Sequence, residues 1–300
     1  RMTQKNNIDG ILLLDKPLKM SSNQAIQKIK KKFNIKKLGH TGTLDPLATG
    51  LLPVCMGRAT RISQFLIDSD KTYQAKINLG VKTSTGDKEG EIIEASSVDI
   101  SYDSLSIDQL LQSFIGKQEQ IPPMYSALKH KGERLYKLAL KGVDVPRKAR
   151  SIQIHSIKLL SINENCLELI IECSKGTYIR TLGEDIANKL GTVGHIDELR
   201  RLDINCFDKP QMHAFDKIID STTIHQYLLP IDSPLSHLMK VVVGKSESKM
   251  FMNGLSISVN QTSIRDSDYI RIYDDETKFL GLGTYSDECI SPKIVFNEII

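Results

Sequence analysis

Between Tyr73 and Leu79 apolar and polar side chains alternate one for one, with Tyr73, Ala75, Ile77 and Leu79 set against Gln74, Lys76 and Asn78. A period of two is that of a strand with one buried face, and it puts Tyr73 on the core side at the strand's first position. Short apolar runs at Ile11–Leu14 and Leu51–Met56 predict buried strands, and Ile152–Ile162 and Leu167–Cys173 predict two more. Ser21 and Gln24 have the spacing of a capping box, after which Ile26, Ile29 and Phe33 fall on one helical face. Further helices run through Ile62, Phe65 and Leu66, from Ser106 through Ile107, Leu110, Leu111 and Phe114, and from the Arg180 segment to a break near Gly191. Strands and helices mixed without a regular β-α-β repeat predict an α+β domain with a mixed or antiparallel sheet.

After roughly residue 240 the pattern changes. Val241–Val243, Ser256–Val259, Tyr269–Tyr273, Phe279–Tyr285 and Ile294–Phe296 read as short strands divided by turn residues, the pattern of a small all-β barrel. The expected organisation is one large domain over residues 9–239 and a small one over 240–300.

Charge sharpens this picture slightly. The net formal charge is +4 and the pI about 8.6, a mild pointer to a polyanionic partner. Its distribution says more: Lys28, Lys30, Lys31, Lys32, Lys36 and Lys37 form one basic run, and Lys129, His130, Lys131, Arg134, Lys137, Lys141, Arg147, Lys148 and Arg150 a looser one. Such runs are by default solvated faces, but two of them fit phosphate contact. Arg265, Arg271 and Lys278 are scattered through the small domain. The five cysteines are widely separated with no Cys-x-x-Cys pair, which suits neither a zinc site nor a disulfide framework. No apolar run approaches membrane-spanning length, and Thr3 to Asp9 is polar. The expectation is a soluble protein of a reducing cytoplasm.

Candidate chemistry concentrates in Gly39-His40-Thr41-Gly42-Thr43-Leu44-Asp45-Pro46-Leu47-Ala48-Thr49-Gly50. This glycine- and threonine-rich loop holds one carboxylate and no second acid, a poor metal site and a plausible nucleophile site. Pro46 fixes its own φ and pushes Asp45 toward an extended conformation, so the loop is built to aim that side chain. Alone, an Asp-Pro pair is more often a turn whose aspartate bonds its own backbone. His40 taken alone is a structural histidine, with no second ligand beside it.

The string from Gly39 to Pro53 resembles the signature of the TruB family of tRNA pseudouridine synthases, which convert the uridine at position 55 of the tRNA T-loop to pseudouridine. Other motifs support the likeness in the family's order: Leu14-Asp15-Lys16-Pro17 with Met20-Ser21-Ser22, Lys71-Thr72-Tyr73, Gln120 to Lys129, Ser174 to Leu182, and Leu199-Arg200-Arg201-Leu202. Lys19 departs from the pattern, since many members carry glycine there. The resemblance implies Asp45 as the catalytic nucleophile, Arg180 as its ionic partner, Tyr73 stacked on a flipped base, Tyr178 as a second aromatic and Leu199 as a pocket wall. It also implies that His40 fills the space the base vacates, that the small domain is a PUA-like RNA-binding module, and that neither cofactor nor metal is needed. The partner would be tRNA, bound at its T-arm by a monomer. A guide-RNA-dependent relative and an RNA-folding factor are the alternatives. The stretch from Leu79 to Lys131, with Asp87, Glu89, Glu91 and Glu94, fits the stand-alone bacterial form better.

Overall fold

A computed structural model of the chain describes residues 6–98, 104–259 and 269–296. The chain opens with β1 (Gly10–Lys16) and α1 (Ser22–Lys32), then β2 (Leu38–His40), β3 (Thr49–Met56), α2 (Ser63–Asp68) and β4 (Lys71–Leu79). A hairpin of β5 (Val81–Thr83) and β6 (Ile92–Ala95) leads to α3 (Ser104–Gln112) and β7 (Gly116–Gln120). A second hairpin, β8 (Lys129–His130) and β9 (Glu133–Arg134), runs into α4 (Leu135–Leu140), followed by β10 (Arg150–Asn163), β11 (Cys166–Cys173), α5 (Ile179–Lys189) and β12 (Gly194–Ile204). Next come β13 (His213–Ala214), α6 (Phe215–Asp220) and β14 (Leu228–Leu229).

Ten of these strands form one sheet in the order β13-β1-β3-β12-β4-β11-β10-β7, with β14 beside β1 and β2 beside β3. Most pairs are antiparallel, but β12 runs parallel to β3 and β13 parallel to β1, so the sheet is mixed. The alternation in β4 is realised as drawn, with every second residue from Lys71 to Leu79 buried. Ser21 caps α1 reciprocally: its Oγ accepts from Gln24 N at 3.1 Å, and Gln24 Oε1 accepts from Ser21 N at 2.9 Å. Several boundaries differ from expectation; the strand expected at Ile294–Phe296 already begins at Cys289. The helix expected from Ser106 is already formed at Ser104, and the turns up to Ile62 are 3₁₀ before α2 begins.

β12 is a central strand that the hydrophobic pattern, which also missed β7 and α4, did not predict. Its sequence Gly-His-Ile-Asp-Glu-Leu-Arg-Arg-Leu-Asp-Ile reads as charged, yet the strand lies inside the sheet because Arg201 is buried whole and Arg200 pairs with Asp15.

Cores lie on both faces. Leu12 and Leu14 of β1 join Ala25, Ile26 and Ile29 of α1 on one side, while Ile11 and Leu13 join Leu51, Cys55, Ile62 and Leu66 on the other. The C-terminal sheet has the order β15 (Met239–Val242), β17 (Tyr269–Tyr273), β18 (Phe279–Ser286), β19 (Cys289–Val295), β16 (Ile257–Ser258). It is curled around Phe251 of α7 (Lys245–Met252), a helix that the turn-and-strand pattern did not predict. Leu282 and Phe296 leave this module to share the core of Ile11 and Leu51. Arg271 reaches back as well, donating Nε to Leu238 O at 2.9 Å; Arg265 lies outside the described residues. No helix among the described residues is long and apolar enough to cross a membrane.

Candidate active site

Asp45 stands in the connection between β2 and β3, and each side of that connection is tied down. Buried Ser22, at the first turn of α1, accepts from Leu44 N at 2.8 Å and donates to Leu44 O at 2.9 Å. Ala48 N closes a turn on Asp45 O at 2.9 Å, and Lys19 N donates to Pro46 O at 2.9 Å. Lys19 makes that bond at φ +60°, the left-handed region where glycine is the unstrained choice. Lys16 lies fully buried beneath the loop, its Nζ donating to Pro17 O at 2.8 Å and Met20 O at 2.5 Å. Burial pushes its ammonium down to about 8, with the Asp45 charge opposing.

Arg180 arrives from the first turn of α5. Its Nε is 2.9 Å from Asp45 Oδ2, Nη1 donates to Thr85 O at 2.8 Å and Nη2 to Tyr125 O at 2.6 Å. The Arg180 side chain is 5% exposed and that of Asp45 37%, so the pair presents its carboxylate, not its guanidinium, to solvent. Just before it, Tyr178 is clamped at both main-chain groups by Gln120, whose Oε1 accepts from Tyr178 N at 2.8 Å and whose Nε2 donates to Tyr178 O at 3.1 Å.

The carboxylate opens into a cleft of about 560 Å³. Asp45, Tyr73, Tyr178, Arg180 and Leu199 all line it, drawn from a loop, two strands and the start of a helix. His40 does not. It sits on β2 opposite Val54, half-buried, with Nδ1 lacking a partner among the described residues, and burial pushes its imidazole below the usual range. Confinement raises the Asp45 carboxyl above the ordinary aspartate value; Arg180 opposes this and nearby Asp87 adds to it. The Tyr73 phenol is likewise pushed up by burial.

Three charged residues bear on the site without having been assigned a role from sequence. Asp87, in the β5–β6 hairpin, is buried with Oδ2 4.0 Å from Arg180 Nε, and its Oδ1 accepts from Thr85 Oγ1 at 2.7 Å and Glu89 N at 3.0 Å. Its neighbours Glu89, Glu91 and Glu94 make the stretch read as solvated, although the Thr85-Gly86-Asp87 turn was a usable signal. Lys71 lines the cleft and caps α2, donating to Ile67 O at 2.8 Å, and burial pushes its ammonium down to about 8. Arg201 also lines the cleft; its placement two residues after Leu199 on one strand could have put both on one face.

A lone, partly desolvated carboxylate held by a guanidinium, facing two tyrosines and a leucine, suits nucleophilic attack on a flat, weakly polar ring. Comparison with known proteins gives the family of the chain that carries this cleft. A family model described as TruB family pseudouridylate synthase (N terminal domain) matches residues 30–179, one for the tRNA pseudouridylate synthase B C-terminal domain matches 180–236, and one for Pseudouridine synthase II TruB, C-terminal, matches 240–296. The tRNA pseudouridine synthase B of Chromohalobacter salexigens is 45% identical over 97% of this chain and 95% of its own length. That of Coxiella burnetii is 41% identical over 96% and 95%. Among solved structures, a Cbf5-Nop10-Gar1 complex contains a chain 25% identical with a TM-score of 0.73, covering 96% of this chain and 85% of that one. An H/ACA RNP bound to a substrate RNA containing 2'-deoxyuridine matches at 23% identity with the same TM-score, over 96% of this chain and 85% of that one. With relatives of this identity matching nearly end to end, the chain belongs to the TruB family of pseudouridylate synthases.

Proposed function

We propose that this protein isomerises the uridine at position 55 in the T-loop of tRNA to pseudouridine, with Asp45 as nucleophile. The observation that carries the reading is the Asp45–Arg180 contact of 2.9 Å at a cleft walled by Tyr73, Tyr178 and Leu199. In the reaction the bond from N1 to C1′ breaks, the uracil turns, C5 bonds to C1′, and the proton lost from C5 is balanced by one gained at N1. Asp45 supplies the covalent handle that lets the ring turn, and Arg180 keeps it ionised and aimed. The target uridine must first leave the T-loop stack. Tyr73 offers it a replacement stacking surface worth about 1–3 kcal/mol, with Tyr178 and Leu199 enclosing the ring. His40 takes the place the base leaves in the loop.

Residues 9–239 would carry catalysis and residues 240–300 would add RNA contacts, the whole acting as a monomer in the bacterial cytoplasm. Incubating the protein with unmodified tRNA transcript and mapping pseudouridine by carbodiimide-dependent reverse-transcription stops tests the assignment. A single stop at the T-loop position is expected. Stops elsewhere, or none, would sink it.

A further inference from the structure

Arg201 is among the largest side chains wholly enclosed in the described protein, 1% exposed. It sits at the middle of the sheet, paired in register with Gly50 of β3 on one side and Tyr73 of β4 on the other. A Cβ on Gly50, where φ is +97°, would fall 2.2 Å from Arg201 O, so the two backbones meet as closely as only glycine allows. From that fixed point the guanidinium spreads to both ends of the Asp45 loop: Nη2 donates to Gly42 O at 2.9 Å and Nε to Leu51 O at 2.7 Å. Its charge also acts on the Tyr73 phenol, and the two side chains line the same cleft.

Packing alone does not account for such a residue. A buried cation costs several kcal/mol of desolvation, and an apolar side chain of similar volume is often the more stable occupant. Arg201 makes no ion pair with a carboxylate among the described residues; its hydrogen bonds go to two main-chain carbonyls, and its charge acts on the Tyr73 phenol. What those partners have in common is the cleft. Gly42 and Leu51 bracket the nucleophile, and Tyr73 is the stacking wall.

We propose that Arg201 is a positioning residue for base isomerisation, joining the Asp45 loop to the Tyr73 ring so that carboxylate and aromatic face hold the base between them at reacting distance. This rests on the function proposed above. A planar fork can hold two carbonyls in fixed directions while facing the Tyr73 phenol, and a lysine ammonium at the end of a flexible stem cannot reproduce it.

The test uses full-length Arg201→Lys, Tyr73→Phe and the double variant on unmodified tRNA transcript, reading single-turnover rate, tRNA Kd and thermal melt. Arg201→Lys should slow the chemical step by about a hundredfold, the usual effect of a misplacement near 1 Å. Its Kd should stay within about threefold of the parent, and so should the rate of the double variant relative to Arg201→Lys, because both substitutions cut the same link. A folded Arg201→Lys protein at the parent rate, or losses that multiply in the double variant, would overturn the proposal. Should Arg201→Lys fail to fold, Tyr73→Phe decides: a loss of about tenfold at unchanged Kd supports the link, and the parent rate overturns it. A parent protein that forms no pseudouridine overturns the proposed function and this inference with it, whereas an active parent with indifferent variants sinks this inference alone.

Discussion

Arg180 Nε lies 2.9 Å from Asp45 Oδ2, and the remainder of the same guanidinium is taken up by main chain at Thr85 O and Tyr125 O. The cation is therefore anchored independently of its anion, and the carboxylate must come to it. Asp45→Asn keeps shape but removes charge and nucleophilicity, so pseudouridine formation should vanish while tRNA Kd changes by less than about threefold. Arg180→Lys gives up both carbonyl anchors and should slow the reaction by about a hundredfold or more. Product formation by the Asn variant, scored by reverse-transcription stops, would exclude Asp45 as nucleophile.

Acid sensitivity should follow the neighbours of Asp45. Burial and Asp87 raise its carboxyl, and Arg180 lowers it. The ionised form is the working one, so activity is lost as pH falls through the folded-state value. Weakening the Arg180 contact in Arg180→Lys raises that value and moves the acid limb to higher pH. Asp87→Asn removes a like charge and moves the limb to lower pH. Single-turnover rates measured from acid to neutral pH read both displacements, and shifts in the same direction would contradict this electrostatic account.

Stacking at Tyr73 separates from hydroxyl chemistry by a simple series. Phe preserves the aromatic face and Leu only the bulk, so Tyr73→Phe should be at least about tenfold faster than Tyr73→Leu, the equivalent of the lower part of the stacking range. Equal, deep losses in the two variants would make the hydroxyl the working group.

Lys19 holds a left-handed conformation at φ +60° in order to bond Pro46 O. Replacing it with glycine relieves the strain at the cost of a more flexible unfolded chain, and a net gain of about 1 kcal/mol is expected from urea unfolding. Activity should be unchanged. A destabilised Lys19→Gly protein would mean that the lysine side chain contributes more than its backbone costs.

The proposed division near residue 240 meets an obstacle in the core shared across it. Cutting after Met239 strips Leu282 and Phe296 from Ile11, Leu13 and Leu51, a loss of roughly 3–6 kcal/mol at the usual value per buried side chain. The fragment should melt about 10 °C lower or more. Where it remains folded by circular dichroism, it should still modify an isolated T-arm stem-loop near the parent rate. Its log-affinity for whole tRNA should fall less steeply with salt, by about one unit for each phosphate that the C-terminal module no longer neutralises. An inactive but folded fragment would place part of the active site in that module.

Local signals carried much of this architecture. The capping box at Ser21 and the alternation from Tyr73 to Leu79 depend on neighbours in sequence, and both appear where the pattern puts them. Five of the six site residues were traced through motifs that the fold then gathers around one cleft, with His40 left outside its lining. What escaped was non-local. β12 is a central strand whose arginines are made tolerable by partners far along the chain, Asp15 for Arg200 and the carbonyls of Gly42 and Leu51 for Arg201. Asp87 was hidden for a related reason: an acid among acids looks solvated until a buried arginine stands opposite it.

The place of β12 in the sheet also bears on how the protein is made. β3 and β4 emerge from the ribosome early and nearly together, yet they do not pair; the slot between them is filled by residues Gly194–Ile204. A nascent chain lacking those residues has an open sheet, with one edge of β4 and the Thr49–Gly50 end of β3 unpaired and Leu199 and Arg201 still to come. Such long-range closure is slow and leaves apolar strand edges exposed in the interim. The enzyme therefore cannot assemble its cleft piecemeal during synthesis, and a truncation anywhere before Ile204 should yield an aggregation-prone chain rather than a weakened catalyst.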